Sequence, residues 1–269
     1  MMSAGCNSLF TLAIVISTSV VVAGCGSTAK WTFQEKLPTM AHVHIGHAIT
    51  GWKDAPNEDG LFNTAEKEAE TALREAIAAT QHPKDLVNIQ KHTRGILHAI
   101  DPSREQQGPA LGFGVKKGLE QAAGHITYAA KSDDASENVR TFAESFEART
   151  KAVLERSDLV VALASEVLAS SVATDAFVLA EEVLSLTKGV INGLDINNDG
   201  YVNLDSQEVG IKQLREELDA VIAREEPPYA TVAKRYLFGV IRLPDGKWAF
   251  SWLVDPFYND AHEGHRVRY

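Results

Sequence analysis

Between residues 63 and 224 the chain carries one apolar stripe after another at helical spacing, each cut off by a breaker. Ala69, Ala72, Leu73, Ala76 and Ala79 share a face, and His82-Pro83 stops them. Leu86, Ile89, Thr93, Ile96, Leu97 and Ile100 form a second stripe, ended by Asp101-Pro102. A third runs from about Ala110 to Ala130 through Val115, Leu119, Ala122, Ile126 and Ala129. A long fourth begins near Asp134 and Glu137, which can cap it, and breaks near Ser170-Ser171. A fifth spans about Thr174 to Asn192. A helix with one apolar stripe must bury it against another helix, and short connections make neighbours antiparallel. The expected fold is therefore mainly α: an antiparallel helical bundle. Abundant alanine and few aromatics point to closely packed helices.

Finer signals refine this frame. Asn63 with Glu66 makes a capping box for the first of these helices. Gly114, Gly118 and Gly124 fall inside the third stripe and suggest close approach of another backbone. A helix from about Ser206 to Arg224 carries Leu214, Leu218, Val221 and Ile222 before Pro227-Pro228. Residues 236–243 and 247–253, joined through Pro244-Asp245-Gly246, read as a small C-terminal β-hairpin.

The N-terminus has a different character. Residues 8–22 are almost wholly apolar, the length of a signal-peptide core and short for a membrane span. Val22-Ala23-Gly24-Cys25 follows directly and resembles the lipobox of bacterial lipoproteins. The resemblance implies a leader, residues 1–24, that is removed, and a lipid placed on Cys25. No Lys or Arg precedes the apolar core, which departs from the usual pattern. Cys6 and Cys25 are the two cysteines, so the mature domain would hold neither thiol nor disulfide. Gly26 stands where an inner-membrane retention signal would have Asp. The implied location is the bacterial cell envelope, at the outer membrane facing the periplasm or the surface in a Gram-negative host. The membrane is then a partner through the lipid. A net charge of −10 argues against nucleic acid. The expected organisation is a leader (1–24), a tether (25–40), a histidine-containing bundle (41–193), a loop and helix (194–226), and a hairpin with tail (227–269).

Two patterns carry chemistry. Asp195, Asn197, Asp199 and Asn203 place side-chain oxygens at alternate positions of one loop. Gly200 supplies the sharp turn, Tyr201 a carbonyl, and apolar Val202 points inward. The run resembles an EF-hand, and a dockerin half in particular, which implies a calcium ion. Its twelfth position is Ser206 rather than an acid, with Asp205 and Glu208 beside it. Either Asp205 or Glu208 can substitute as ligand through a shifted helix start, and the two can also form a helix capping box, a role compatible with metal binding by the first half of the loop. A site short of one acid should be weak, with Kd about 10⁻⁴ to 10⁻³ M.

The second pattern is histidine. His42, His44 and His47 crowd one segment; His44 and His47 share a face if it is helical, His42 and His44 if it is extended. His92 and His98 lie on the second stripe, His125 on the third, and His262 and His265 in the tail. A subset of His44, His47, His92, His98 and His125 could hold Cu, Zn or Fe. Cys-x-x-Cys-His is absent, as are a phosphate loop, His-Glu-x-x-His and a nucleophile elbow. The expectation is a lipid-anchored, non-enzymatic envelope protein that binds metal. Its rival is an envelope scaffold whose calcium loop is purely structural.

Overall fold

The computed structural model describes residues 39–204 and 207–229, together with the backbone of three short strands further on. The leader with Cys25, the tether, Asp205, Ser206 and the tail histidines lie outside the described residues.

Seven α-helices are present among the described residues: α1 (Met40–Ile49), α2 (Leu61–Ala79), α3 (Leu86–Ile100), α4 (Val115–Lys131), α5 (Glu137–Ala169), α6 (Ala173–Asn192) and α7 (Ile211–Ile222). The fold is mainly helical, as the stripes require. α2 packs on α3, α4 and α6, and the long α5 packs on α3, α4, α6 and α7. α1 lies along α4, with its start at Asp134, just past the end of α4. Ala65, Ala69, Ala72 and Ala76 are all but fully buried on α2 and let its neighbours approach closely. Phe62, Phe142 and Phe146 fill the centre. No helix among the described residues is long and apolar enough to cross a membrane.

The backbone segments β1 (Lys234–Arg235), β2 (Val240–Arg242) and β3 (Trp248–Phe250) pair antiparallel in that order. Val240 stands opposite Phe250, and Arg242 opposite Trp248. The turn between β2 and β3 lies outside the described residues.

The helix ends differ from the local reading because long-range partners take the capping groups. α2 starts at Leu61, and Asn63 instead donates to Ile49 O at 2.7 Å. Glu66 pairs with Arg215 of α7. Asp134 caps α1, accepting from Met40 N and Ala41 N, while Ser136 caps α5. α4 begins at Val115, later than expected, because Gly112 and Gly114 adopt φ of 79° and 90°. Gly118 does serve packing: a Cβ there would lie 2.8 Å from Ala65 Cβ. Gly124 faces open space, so close packing does not account for it.

Two buried charges fix the frame. Glu68 on α2 is fully buried and accepts from Leu111 N, Phe113 N and Gly114 N at 3.1, 2.7 and 2.9 Å. A carboxylate there satisfies orphan donors at the start of α4 and complements the helix dipole. Arg156 on α5 donates to Gly189 O, Gln207 O and Val209 O, which ties the end of α6 to the segment before α7. Burial pulls its pKa down.

Candidate metal centre

α1 settles the open question at residues 42–47: the segment is helical, with Thr39 accepting from His42 N as its N-cap. Three residues apart on a helix, His44 and His47 face the same way. α1 runs along α4, so that face meets His125. His44 Nδ1 and His125 Nδ1 are 3.3 Å apart. One nitrogen from each of His44, His47 and His125 lies within 4.8 Å of the others.

That geometry fits a metal ion. Two nitrogens each about 2.0–2.1 Å from a tetrahedral ion stand ~3.4 Å apart, close to the 3.3 Å between His44 Nδ1 and His125 Nδ1. Imidazole nitrogens suit Zn, Cu and Fe and not Ca or Mg. The protonation state suits binding too. Burial lowers the pKa of His125 to about 4, with His47 and His44 pushing the same way. Burial lowers His47, and His44 adds to it. Burial also lowers His44, against the pull of Asp134. Neutral rings at pH 7 offer lone pairs without first losing protons.

Aromatic rings wall the cluster. Trp52 packs on His47 and His125 with ring centroids 4.8 and 4.9 Å away. Tyr128, one turn after His125, stands 5.6 Å from the His44 ring and is largely exposed. The three histidines are half-buried, so a fourth coordination position stays within reach of solvent. Trp52 and Tyr128 escaped the sequence reading. The i, i+3 spacing of His125 and Tyr128 was the available signal for the latter.

His92 and His98 do not join the cluster. α3 packs mainly on α2 and α5 and only brushes α4, so His92 and His98 are not brought to His125. His92 Nδ1 lies 2.8 Å from Glu75 Oε2. His98 is buried under the α3–α4 loop, its Nδ1 3.3 Å from Ala110 N. His42 points away from the cluster into a buried pair with Glu225.

The Asp195 loop is folded as a turn with inward-facing oxygens. Asp195 accepts from Asp199 N and Gly200 N at 3.1 and 2.9 Å. Asn197 Oδ1 accepts from Asp199 N, and Asp199 accepts from Tyr201 N. That last hydrogen bond is the main reason the Asp199 pKa is lowered. Asn197 and Asn203 each donate to Asp199 Oδ2 at 3.1 Å. Gly200 takes φ of 87°, as its turn position requires. Tyr201 is exposed, and Val202 packs over Gly193. Glu208 is 3% exposed and reaches back into the loop, accepting from Asn197 N at 3.3 Å and Asn203 N at 3.0 Å. It is not a helix capping residue: α7 starts at Ile211, where Gly210 N donates to Gln213 Oε1.

No family model matches the chain, and neither a curated protein nor a solved structure resembles it.

Proposed function

We propose that this chain is a lipid-anchored, non-enzymatic protein of the bacterial cell envelope that binds a transition metal through His44, His47 and His125. The reading rests on one observation: three imidazoles from two helices converge, each offering a nitrogen within 4.8 Å of the others, with His44 Nδ1 and His125 Nδ1 3.3 Å apart. Zinc, copper and iron all suit this donor set. The envelope location and the lipid on Cys25 rest on the leader and its Val-Ala-Gly-Cys run. The Asp195 loop adds a weak calcium site, with Asp195, Asn197, Asp199, the Tyr201 carbonyl and Asn203 around the ion. Glu208 stands where it can serve as the missing carboxylate.

Metal analysis of the purified chain tests the reading. One equivalent of Zn, Cu or Fe is expected, lost in His44→Ala and in His125→Ala and kept in His92→Ala. Calcium alone, with a melting temperature that falls in chelator, would favour the scaffold reading instead. Mass spectrometry of protein from its native host checks the anchor; an intact leader removes it.

A further inference from the structure

The helix that carries His125 brings another polar group to the same face. On α4, residues 118, 121, 125 and 128 recur at intervals of three, four and three, which is one stripe of an α-helix. The contacts of its members fix what the stripe faces. Tyr128 meets the His44 ring, and His125 meets His44, His47 and Trp52. Gly118 lies against Leu61 and Ala65 at the start of α2. α1 runs the opposite way, from Asp134 just past the end of α4 to Ile49, whose backbone packs on Gly60 directly before α2. Gln121 therefore faces the stretch between His47 and Leu61, where Trp52 folds back over His47 and His125.

Helix geometry sets Gln121 beside the His125 ring. Helical side chains lean toward the N-terminus, so that ring lies over the turn that holds Gln121. Residues four apart on a helix have Cβ atoms about 5–6 Å apart. Gln121 is half-buried, and its Oε1 is shielded from solvent and accepts no hydrogen bond among the described residues. A buried acceptor without a partner is costly, and in a native structure it points to a group that satisfies it.

The other polar groups around the cluster are committed or unsuited. Both oxygens of Asp134 are taken by Met40 N and Ala41 N. The Trp52 indole can only donate. An amide oxygen, by contrast, offers a lone pair without losing a proton.

We propose that Gln121 is the fourth protein ligand of this centre, its side-chain oxygen completing the sphere begun by His44, His47 and His125. The proposal rests on the metal reading above. Three imidazoles and an amide oxygen suit a divalent ion such as Zn²⁺ or Cu²⁺ over Cu⁺, which prefers sulfur. A Cβ on Gly124 would meet nothing within 4 Å, so solvent reaches this face and can replace the amide where it is removed.

Calorimetric titration of the full chain with Zn²⁺ and water-proton relaxation of the Cu²⁺-loaded chain test the proposal. Gln121→Leu keeps the side-chain bulk and removes the oxygen. It should weaken zinc binding by roughly tenfold. It should also raise the relaxation rate of bulk water, because an exchanging water enters the Cu²⁺ sphere. In chelator the same variant should melt no lower than the parent, since it removes an orphaned buried acceptor. A merely structural glutamine would give the reverse, a lower melting temperature with unaltered affinity. Gln121→Glu restores an oxygen and should bind zinc at least as tightly as the parent. Tyr128→Phe should bind as the parent does; a loss there equal to that of Gln121→Leu would move the fourth ligand to the phenol and overturn the proposal. Unchanged zinc affinity or unchanged relaxation in Gln121→Leu overturns it as well, while the three-histidine reading stands. A parent that binds no ion, or one that binds equally after His44→Ala, removes that reading and this ligand with it.

Discussion

His42 and Glu225 form a buried pair, Nε2 to Oε2 3.0 Å, with each side chain 1% exposed. The pair ties the segment after α7 to the first helix. The other carboxylate oxygen accepts from Ser136 Oγ at 2.8 Å and Asn138 Nδ2 at 2.6 Å. Tyr229 meets the His42 ring edge-on, and its hydroxyl lies 2.8 Å from Thr50 Oγ1. α1 is thus gripped on one face by residues 225–229 while its other face presents His44 and His47.

Removing that grip should loosen α1. In Glu225→Ala, His42, Ser136 and Asn138 all lose their shared acceptor inside the protein. The expected cost is about 3–5 kcal/mol, since breaking a buried pair strands its partner. Glu225→Gln keeps one acceptor oxygen and should cost less. Denaturant unfolding measures both. Metal affinity at His44 and His47 should weaken in parallel, because the helix that positions them is less well held. Stability unchanged in Glu225→Ala would show that the pair contributes nothing net.

The histidine cluster gives stability a definite pH dependence. Its three pKa values are lowered in the folded state, His125 to about 4, from an ordinary 6.5. As pH falls below that ordinary value the unfolded chain takes up protons first, which favours unfolding. The metal-free protein should therefore lose stability progressively from pH ~6.5 toward ~4, with no contribution from these groups above it. Carboxylates elsewhere titrate over part of the same range. The cluster's own share is the difference between the parent and His125→Asn, in melting curves recorded in chelator. Parallel curves for the two proteins across that window would refute the assignment. Bound metal should leave over the same acidic range, as protons compete for the same lone pairs.

Glu68 tests how far one carboxylate can organise a helix start. It accepts three backbone N–H groups of the segment leading into α4 and forms no ion pair among the described residues. In Glu68→Gln an amide NH₂ must replace one acceptor oxygen and face a donor. A loss of about 2–4 kcal/mol is expected by thermal or denaturant unfolding, larger than a surface Glu→Gln such as Glu155→Gln. Equal stability of the two variants would mean that water replaces the lost acceptor.

The contrast between stripes and caps explains what the sequence disclosed. Buried faces are periodic and local, so the helices following residue 63 were legible from Ala69, Ile89, Leu119 and Val153 alone. Their ends were not, because Asn63, Glu66 and Asp134 each serve a partner far away in sequence. The same limit applied to the metal cluster. His44 and His47 follow from helical spacing, but choosing His125 over His92 needs the pairing of α1 with α4, which no local pattern encodes. Glu68 did leave a trace: an acid set among Ala65, Ala69 and Ala72 breaks an otherwise small and apolar face. Arg156 left a similar one between Val153 and Val160. Charged residues on a buried stripe point to the polar groups that the core is built around.

The Asp195 loop separates two roles that lie close together in sequence. Asp199 is exposed, and among the described residues its oxygens meet only groups of the loop itself. Glu208 is buried and holds the N–H groups of Asn197 and Asn203 from below. Asp199→Ala should therefore abolish the calcium-induced rise in melting temperature and leave the protein in chelator nearly as stable as the parent, as for an ordinary surface change. Glu208→Gln should weaken calcium binding and also destabilise the protein in chelator by about 1–3 kcal/mol, because a buried acceptor becomes a donor facing a donor. Calcium titrations followed by calorimetry, each repeated in chelator, distinguish the two. If Glu208→Gln alters only the calcium response, the carboxylate is a ligand without a structural role; if neither variant changes that response, the loop is a turn and not a cation site.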